Sequence, residues 1–272
     1  MYNKTFKIDN FEFNIDDVLE IAKKAGNEVL KIYNKDFSVE YKDDKSPLTE
    51  ADKASHSLIV EGLKKYNLPI LSEEGKEIPY EKRKNWEYFW MTDPLDGTKE
   101  FIKKNGEFTI NIALIYKNEP IFGVVYAPVL NWIYFNDNET SYKIENNQII
   151  KSPIKRDDNK FIIVASRSHL NEETKKYIKL LTNDYRLSTN DYDFISIGSS
   201  LKLCLIAEGK ADIYPRLAPT MEWDTAAADA IVRKAGKNVY QLHIDDYRLM
   251  TNDYRLLVYN KENLLNPWFV VR

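Results

Sequence analysis

The stretch Trp90-Met91-Thr92-Asp93-Pro94-Leu95-Asp96-Gly97-Thr98-Lys99-Glu100-Phe101 ends an aromatic, strand-like run on two carboxylates held by a proline and a glycine. Asp93 and Asp96 are separated by a Pro-Leu step that interrupts a regular strand, so both side chains and the Leu95 carbonyl can converge on one point. Oxygen ligands of this kind suit Mg²⁺. Gly97-Thr98 then supplies a flexible turn with free backbone N–H groups opening a short helix, a seat for a phosphate anion. A metal and a phosphate become neighbours.

Around this stretch lie 272 residues, 43% of them apolar, enough for one large or two modest domains with buried cores. A net charge of −3 gives no general attraction to a nucleic acid polymer or to anionic lipid, so any bound phosphate must be captured locally. The single cysteine, Cys204, sits in Leu203-Cys204-Leu205-Ile206 as a small core residue and excludes an internal disulfide framework, in keeping with a reducing compartment. Met1 to Asn10 lacks the apolar core of a signal peptide, and no run approaches membrane-spanning length. The expectation is a soluble cytoplasmic protein without a transmembrane segment. Peripheral attachment to the cytoplasmic side of the inner membrane and the oligomeric state stay open.

Apolar residues Ile15, Val18, Leu19, Ala22, Ala25, Val29 and Tyr33 recur at helical spacing and predict an amphipathic helix. A second helix is expected after Thr49 as N-cap, with Asp52 three residues on, running through Ala54, Leu58, Ile59 and Leu63. From Phe89 to Phe135 the β-branched and aromatic runs read as a mostly antiparallel sheet. Beyond residue 150 the pattern alternates: strand 161–165, helix 172–181, strand 194–197, helix 200–208, strand 211–214, helix 225–234. Two subdomains are expected, an N-terminal α+β half over 1–150 and a C-terminal α/β half over 151–272, joined through the polar stretch 145–158. Thr182-Asn183-Asp184-Tyr185-Arg186-Leu187 recurs identically at 251–256, with partial copies at 189–192 and 246–249. So short a repeat is no solenoid unit and reads as tolerated surface loop insertion.

Other acids each have a plain structural explanation. Glu73 and Glu74 before Gly75 read as solvated loop charges, Asp52 as part of a capping box, and Asp224 before Thr225-Ala226-Ala227-Ala228 as a helix N-cap or first-turn acid. If they converge with Asp93 and Asp96, the clustered negative charge implies bound cations and a two-metal phosphate-ester hydrolase.

At these residues the chain resembles the lithium-sensitive, magnesium-dependent phosphomonoesterase superfamily that includes inositol monophosphatase and, more distantly, fructose bisphosphatase. Within it the chain is most similar to the bacterial CysQ-type 3′(2′),5′-bisphosphate nucleotidases. Supporting blocks run nearly end to end: Ser46 to Asp52, Leu71-Ser72-Glu73-Glu74, Asp93 to Thr109, Gly123 to Pro128, Ser166-Arg167-Ser168-His169, Ile197 to Lys202 and Glu222 to Ala227. Asp-Pro-Leu-Asp-Gly-Thr marks the superfamily, whereas Gly97 to Phe101 and Gly198 to Lys202 resemble the nucleotidase branch.

The resemblance implies a layered α/β/α/β/α sugar-phosphatase fold with the site between the subdomains. It implies two or three Mg²⁺ ions, one on Glu73, Asp93 and the Leu95 carbonyl, a second on Asp93, Asp96 and Asp224. Glu73 would also help position the attacking water, which Thr98 and Asp52 orient and deprotonate. Leu95, Asp96, Gly97, Thr98 and Asp224 would surround the scissile phosphate, while Lys202, Ser199, Ser166 and His169 would line the nucleotide pocket. Its implied reaction converts adenosine 3′,5′-bisphosphate to AMP and phosphate, clearing a by-product of sulfate assimilation, with 3′-phosphoadenylyl sulfate as a further substrate. Inositol monophosphate or a sugar bisphosphate is the alternative substrate, and a silent nucleotide or metal binder the alternative class. Ala228 stands where the family commonly has glycine, and its methyl is expected to crowd the helix slightly. His56 and His243 carry no motif and are assigned no role.

Overall fold

The computed structural model of the chain describes residues 2–36, 38–41, 47–157, 160–165, 171–242, 244–245, 248–249 and 255–272. A hairpin of β1 (Thr5–Ile8) and β2 (Phe11–Asn14) leads into α1 (Ile15–Tyr33), which Asn14 caps by accepting the Asp16 N–H at 2.9 Å. The short pair β3 (Val39–Tyr41) and β4 (Pro47–Thr49) delivers the chain to α2 (Glu50–Leu63). Both long helices begin where capping chemistry places them. After β5 (Ile70–Ser72) and α3 (Tyr80–Arg83) come β6 (Tyr88–Asp96), α4 (Thr98–Ile102), β7 (Thr109–Tyr116), β8 (Glu119–Ala127), β9 (Trp132–Asn136), β10 (Ser141–Glu145) and β11 (Gln148–Ser152). They form a seven-stranded sheet in the order β11-β10-β9-β8-β7-β6-β5, antiparallel throughout except for the β5–β6 pair. The last strand, β11, occupies the polar stretch where a linker was expected, and pairs with β10 up to Ser152.

The second half contains β12 (Phe161–Ala165), α5 (Glu172–Asp184), β13 (Tyr192–Ser196), α6 (Leu201–Glu208), β14 (Tyr214–Arg216), α7 (Glu222–Lys234), β15 (Val239–Gln241), the pair β16 (Ile244–Asp245) and β17 (Arg248–Leu249), and β18 (Phe269–Val271). Parallel β12–β13 and the antiparallel set β14-β18-β15 complete it. Layering follows from side-chain alternation. Ile162 and Val164 of β12, and Phe269 and Val271 of β18, join α6, α7 and the near face of the large sheet in one core, whereas Ile163 and Val270 face α5 through Tyr177, Ile178 and Leu181. The far face of the large sheet packs on α1 and α2. This is the expected αβαβα stack, and one core unites the two halves. Among the described residues no helix is long and apolar enough to cross a membrane.

The helix carrying Asp224 lies unusually close to the sheet. A Cβ added to Gly123 on β8 would come within 2.0 Å of the Ala227 carbonyl, so glycine lets the backbones of α7 and β8 meet. Ala228 is fully buried in the shared core. Several boundaries moved: α7 begins at Glu222 rather than Thr225, β14 covers 214–216 rather than 211–214, β13 covers 192–196 rather than 194–197, α5 runs on to Asp184 rather than ending at Leu181, and α6 begins at Leu201 rather than Ser200. The first repeat copy also differs from a simple insertion. Thr182 to Asp184 complete α5, and Leu187 N–H closes on Thr182 O at 2.8 Å. Asp191 then ties the exposed connection together, accepting from Ser188 N at 2.8 Å and offering its carbonyl to Phe161 N at 2.8 Å. Of the copy at 251–256 only Arg255 and Leu256 are described, with the Arg255 carbonyl accepting from Gln241 N at 2.7 Å.

Candidate active site

Asp93 pairs with Asn111 and Asp96 with Thr109, so three steps along β6 oppose two along β7. That extra residue is a β-bulge at Pro94-Leu95, and it resets the pleat: Asp93 and Asp96, which regular alternation would send to opposite faces, stand on one. Proline suits the bulge because it has no ladder N–H to lose, and its carbonyl is held by Ser55 Oγ at 2.7 Å. Leu95 N–H donates to Asp93 Oδ1 at 3.0 Å and closes the turn.

Two other elements bring acids to the same place. Parallel pairing of β5 with β6 ends at Ser72–Thr92, and Glu73 N–H continues it to Thr92 O at 3.1 Å, setting Glu73 beside Asp93. Asp224, in the first turn of α7, accepts Met221 N–H at 2.8 Å. Its neighbour Glu222 is fully buried and pins that turn to the C-terminal segment through Asn260 N at 2.5 Å and Lys261 Nζ at 2.6 Å. Carboxylate oxygens of Glu73, Asp93 and Asp224 all lie within 4.8 Å of one another. Burial, then the charges of Glu73, Asp96 and Asp224, pushes the Asp93 carboxyl well above the usual carboxylate range; burial and the charges of Asp96 and Glu73 do the same to Asp224. Asp96 is raised by burial against the opposing pull of Lys202. Such a concentration of acids fits a hard cation with oxygen ligands.

Asp52 has two tasks. Its Oδ2 accepts Thr49 N–H at 2.8 Å and Thr49 Oγ1 at 2.6 Å as the reciprocal half of the capping box, and its Oδ1 faces Thr98 Oγ1 at 3.4 Å. Burial raises this carboxyl to about 6. Thr98 Oγ1 also reaches Leu95 O at 3.3 Å, linking the capping acid to the bulge. Gly97 has φ of 91°, a left-handed turn natural to glycine, and opens α4.

Beside Asp96 and Gly97 a cavity of about 190 Å³ is lined by Lys202, Ser199 and Arg216, among others. Lys202 is 8% exposed, donates to Ser199 O at 2.7 Å, and is pushed down to about 8 by burial. Among the described residues Ser199 Oγ is buried without a hydrogen-bond partner, in a residue held at φ of 48°. Arg216 Nε is fixed by Thr220 Oγ1 at 2.7 Å. Arg216 escaped the sequence reading, as did Thr109 and Asn111. Their signal was a lone polar or charged residue in an otherwise apolar strand. Ser166, His169 and His243 lie outside the described residues. His56 Nδ1 meets Ser72 Oγ at 2.8 Å, one residue before Glu73.

Comparison with known proteins agrees with this geometry. The family model described as the inositol monophosphatase family matches residues 14–267. The 3′(2′),5′-bisphosphate nucleotidase CysQ of Salmonella typhimurium is 42% identical over 262 residues, covering 94% of this chain and 98% of its own, and that of Escherichia coli K12 matches to the same extent. The crystal structure of CysQ from Bacteroides thetaiotaomicron superposes with a TM-score of 0.82 at 44% identity, over 94% of this chain and 96% of that one. An IMPase from Thermotoga maritima shares the fold, with a TM-score of 0.68 at 22% identity. A bulged strand with two acids, a capped helix presenting a third and a match along nearly the whole chain lead to one conclusion: this chain belongs to the inositol monophosphatase family.

Proposed function

We propose that this chain is a metal-dependent 3′(2′),5′-bisphosphate nucleotidase that converts adenosine 3′,5′-bisphosphate to AMP and phosphate in the cytoplasm, with 3′-phosphoadenylyl sulfate as a further substrate. One observation carries the choice of substrate. The cavity beside the acid cluster holds two cationic side chains, Lys202 and Arg216, and a buried hydroxyl on Ser199 that has no partner among the described residues, which together suit a second phosphate next to the one removed. Inositol monophosphate has no group for that place.

In this reading Glu73, Asp93 and the Leu95 carbonyl would hold one Mg²⁺, and Asp93, Asp96 and Asp224 a second. When bound, the ions would supply positive charge to the phosphate and leaving oxygens and make a water more acidic. The protein groups do the rest. Amides of Gly97 and Thr98 orient the scissile phosphate at the start of α4. Asp52, whose Oδ2 is engaged by Thr49, keeps Oδ1 for the Thr98 hydroxyl, so the proton of the attacking water passes through Thr98 to Asp52. No phosphoenzyme is required, and clearing this nucleotide would serve sulfate assimilation.

The test is phosphate release from adenosine 3′,5′-bisphosphate, inositol monophosphate and fructose bisphosphate, with Mg²⁺ and with added Li⁺. Preference for the nucleotide by at least about tenfold in kcat/KM is expected. Preference for inositol monophosphate would overturn the reading.

A further inference from the structure

Glu100 lines the same cavity as Lys202 and Arg216, yet the reaction described above gives it no part. Its stem rests on the Gly198 backbone, where an added Cβ would come within 2.8 Å of Glu100 Cγ. Its Oε2 hangs over Gly97, 3.3 Å from the place a Cβ would take there. The carboxylate is therefore suspended between the Gly97-Thr98 turn and the Ser199 end of the cavity. It is partly buried, and among the described residues it accepts no hydrogen bond and forms no ion pair. Lys202, whose charge it favours, gives its hydrogen bond to Ser199 O instead.

An unpaired carboxylate between two phosphate seats works against anionic ligands, since like charges at close range repel even at a moderate effective dielectric. An ionised carboxyl is acceptor-only, so what offsets that repulsion is a neutral donor on the sugar that carries the phosphates, where a single hydroxyl is left free. On a ribose carrying 3′- and 5′-phosphates that donor is the 2′-hydroxyl, next to the ester being cleaved. We propose that Glu100 is a specificity-determining residue that accepts a hydrogen bond from the ribose 2′-hydroxyl, so that the site selects ribonucleoside over 2′-deoxyribonucleoside bisphosphates. This rests on the bisphosphate-nucleotide reading of the site. A site built around such a bond rejects the analogue without the hydroxyl, because the acceptor is then left facing only anions.

The experiment measures kcat/KM for adenosine 3′,5′-bisphosphate and its 2′-deoxy analogue, with Mg²⁺, for the wild-type chain, Glu100→Ala and Glu100→Gln. Wild type should prefer the ribonucleotide by roughly 10- to 100-fold, the range expected for a hydrogen bond to a charged acceptor. Glu100→Ala should reduce that ratio to within about threefold, and Glu100→Gln, which keeps a carbonyl acceptor without the charge, should retain part of it. The ratio is internal to each variant, so partial loss of folded protein does not alter it. A wild-type ratio near one, a ratio unchanged in Glu100→Ala, or an equal gain on both nucleotides would overturn the proposal. Hydrolysis of inositol monophosphate with neither nucleotide turned over would instead overturn the nucleotide reading on which it rests.

Discussion

Asp96 accepts the backbone N–H of Ser200 at 2.5 Å, joining the bulged strand β6 to the start of α6. Ser200 Oγ donates to Asn111 Oδ1 at 2.9 Å and meets Thr109 Oγ1 at 2.8 Å, so β7 holds the same junction. One buried serine thereby orients Asp96, next to the group of Glu73, Asp93 and Asp224, and the helix that bears Lys202.

Ser200→Ala should weaken this hold without unfolding the protein. The substitution keeps the N–H that Asp96 accepts and removes only the hydroxyl that ties it to β7, so under the proposed metal assignment the Mg²⁺ concentration for half-maximal activity should rise about tenfold, the low end of the cost of loosening a group that orients a ligand. Titration of activity with Mg²⁺ checks it; an unchanged midpoint would free Asp96 from dependence on Ser200.

Asp93→Asn should abolish metal-dependent phosphate release and still fold. Because burial and three neighbouring carboxylates oppose the Asp93 charge, removing it relieves repulsion in the metal-free protein. In EDTA the variant should melt a few degrees above wild type, at about 2–4 °C per kcal/mol for a chain of this size. Added Mg²⁺ should raise the wild-type melting temperature and leave that of the variant unmoved.

The acid side of the rate profile should report Asp52. Burial raises its carboxyl to about 6 from the usual 3.8, and it works as a base only when ionised. Turnover should therefore fall about tenfold per pH unit below 6. Asp52→Asn should lose most activity and flatten that limb, and a limb that persists unchanged in a folded variant would assign it to another group.

Lys202 should set the alkaline side. Pushed down to about 8 by burial, its ammonium is charged below that pH and neutral above it, so kcat/KM for the bisphosphate should decline past 8. Lys202→Arg should move the decline to higher pH, since a guanidinium does not lose its proton in this range. Lys202→Ala should raise KM for the nucleotide by about tenfold or more while sparing inositol monophosphate; equal effects on both substrates would remove Lys202 from the second-phosphate pocket.

Much of this was readable in the chain. The Thr49-to-Asp52 capping box, the helix over Ile15–Tyr33 and the alternation of elements after residue 160 follow from local rules, and the structure places them as expected. The Pro94-Leu95 step showed that Asp93 and Asp96 converge, although the one-residue register shift responsible appears only once β6 is paired with β7. Glu73 and Asp224 had plain local explanations. Their partnership with Asp93 depends on β5 lying parallel to β6 and on α7 resting against Gly123, contacts between residues far apart in sequence. Arg216 and Asn111 were missed for the same reason, because a polar residue in an apolar strand gains its meaning only from the distant elements that meet it at the site.

The double engagement of Asp52 has a thermal consequence. A single carboxylate both closes the first turn of α2 and faces Thr98, so fraying of that one turn should disable the proposed proton transfer while the large sheet stays intact. Heat inactivation should then run ahead of the calorimetric transition, with catalysis lost at temperatures where most of the molecule remains native. The working range of the enzyme should then follow the stability of a helix end.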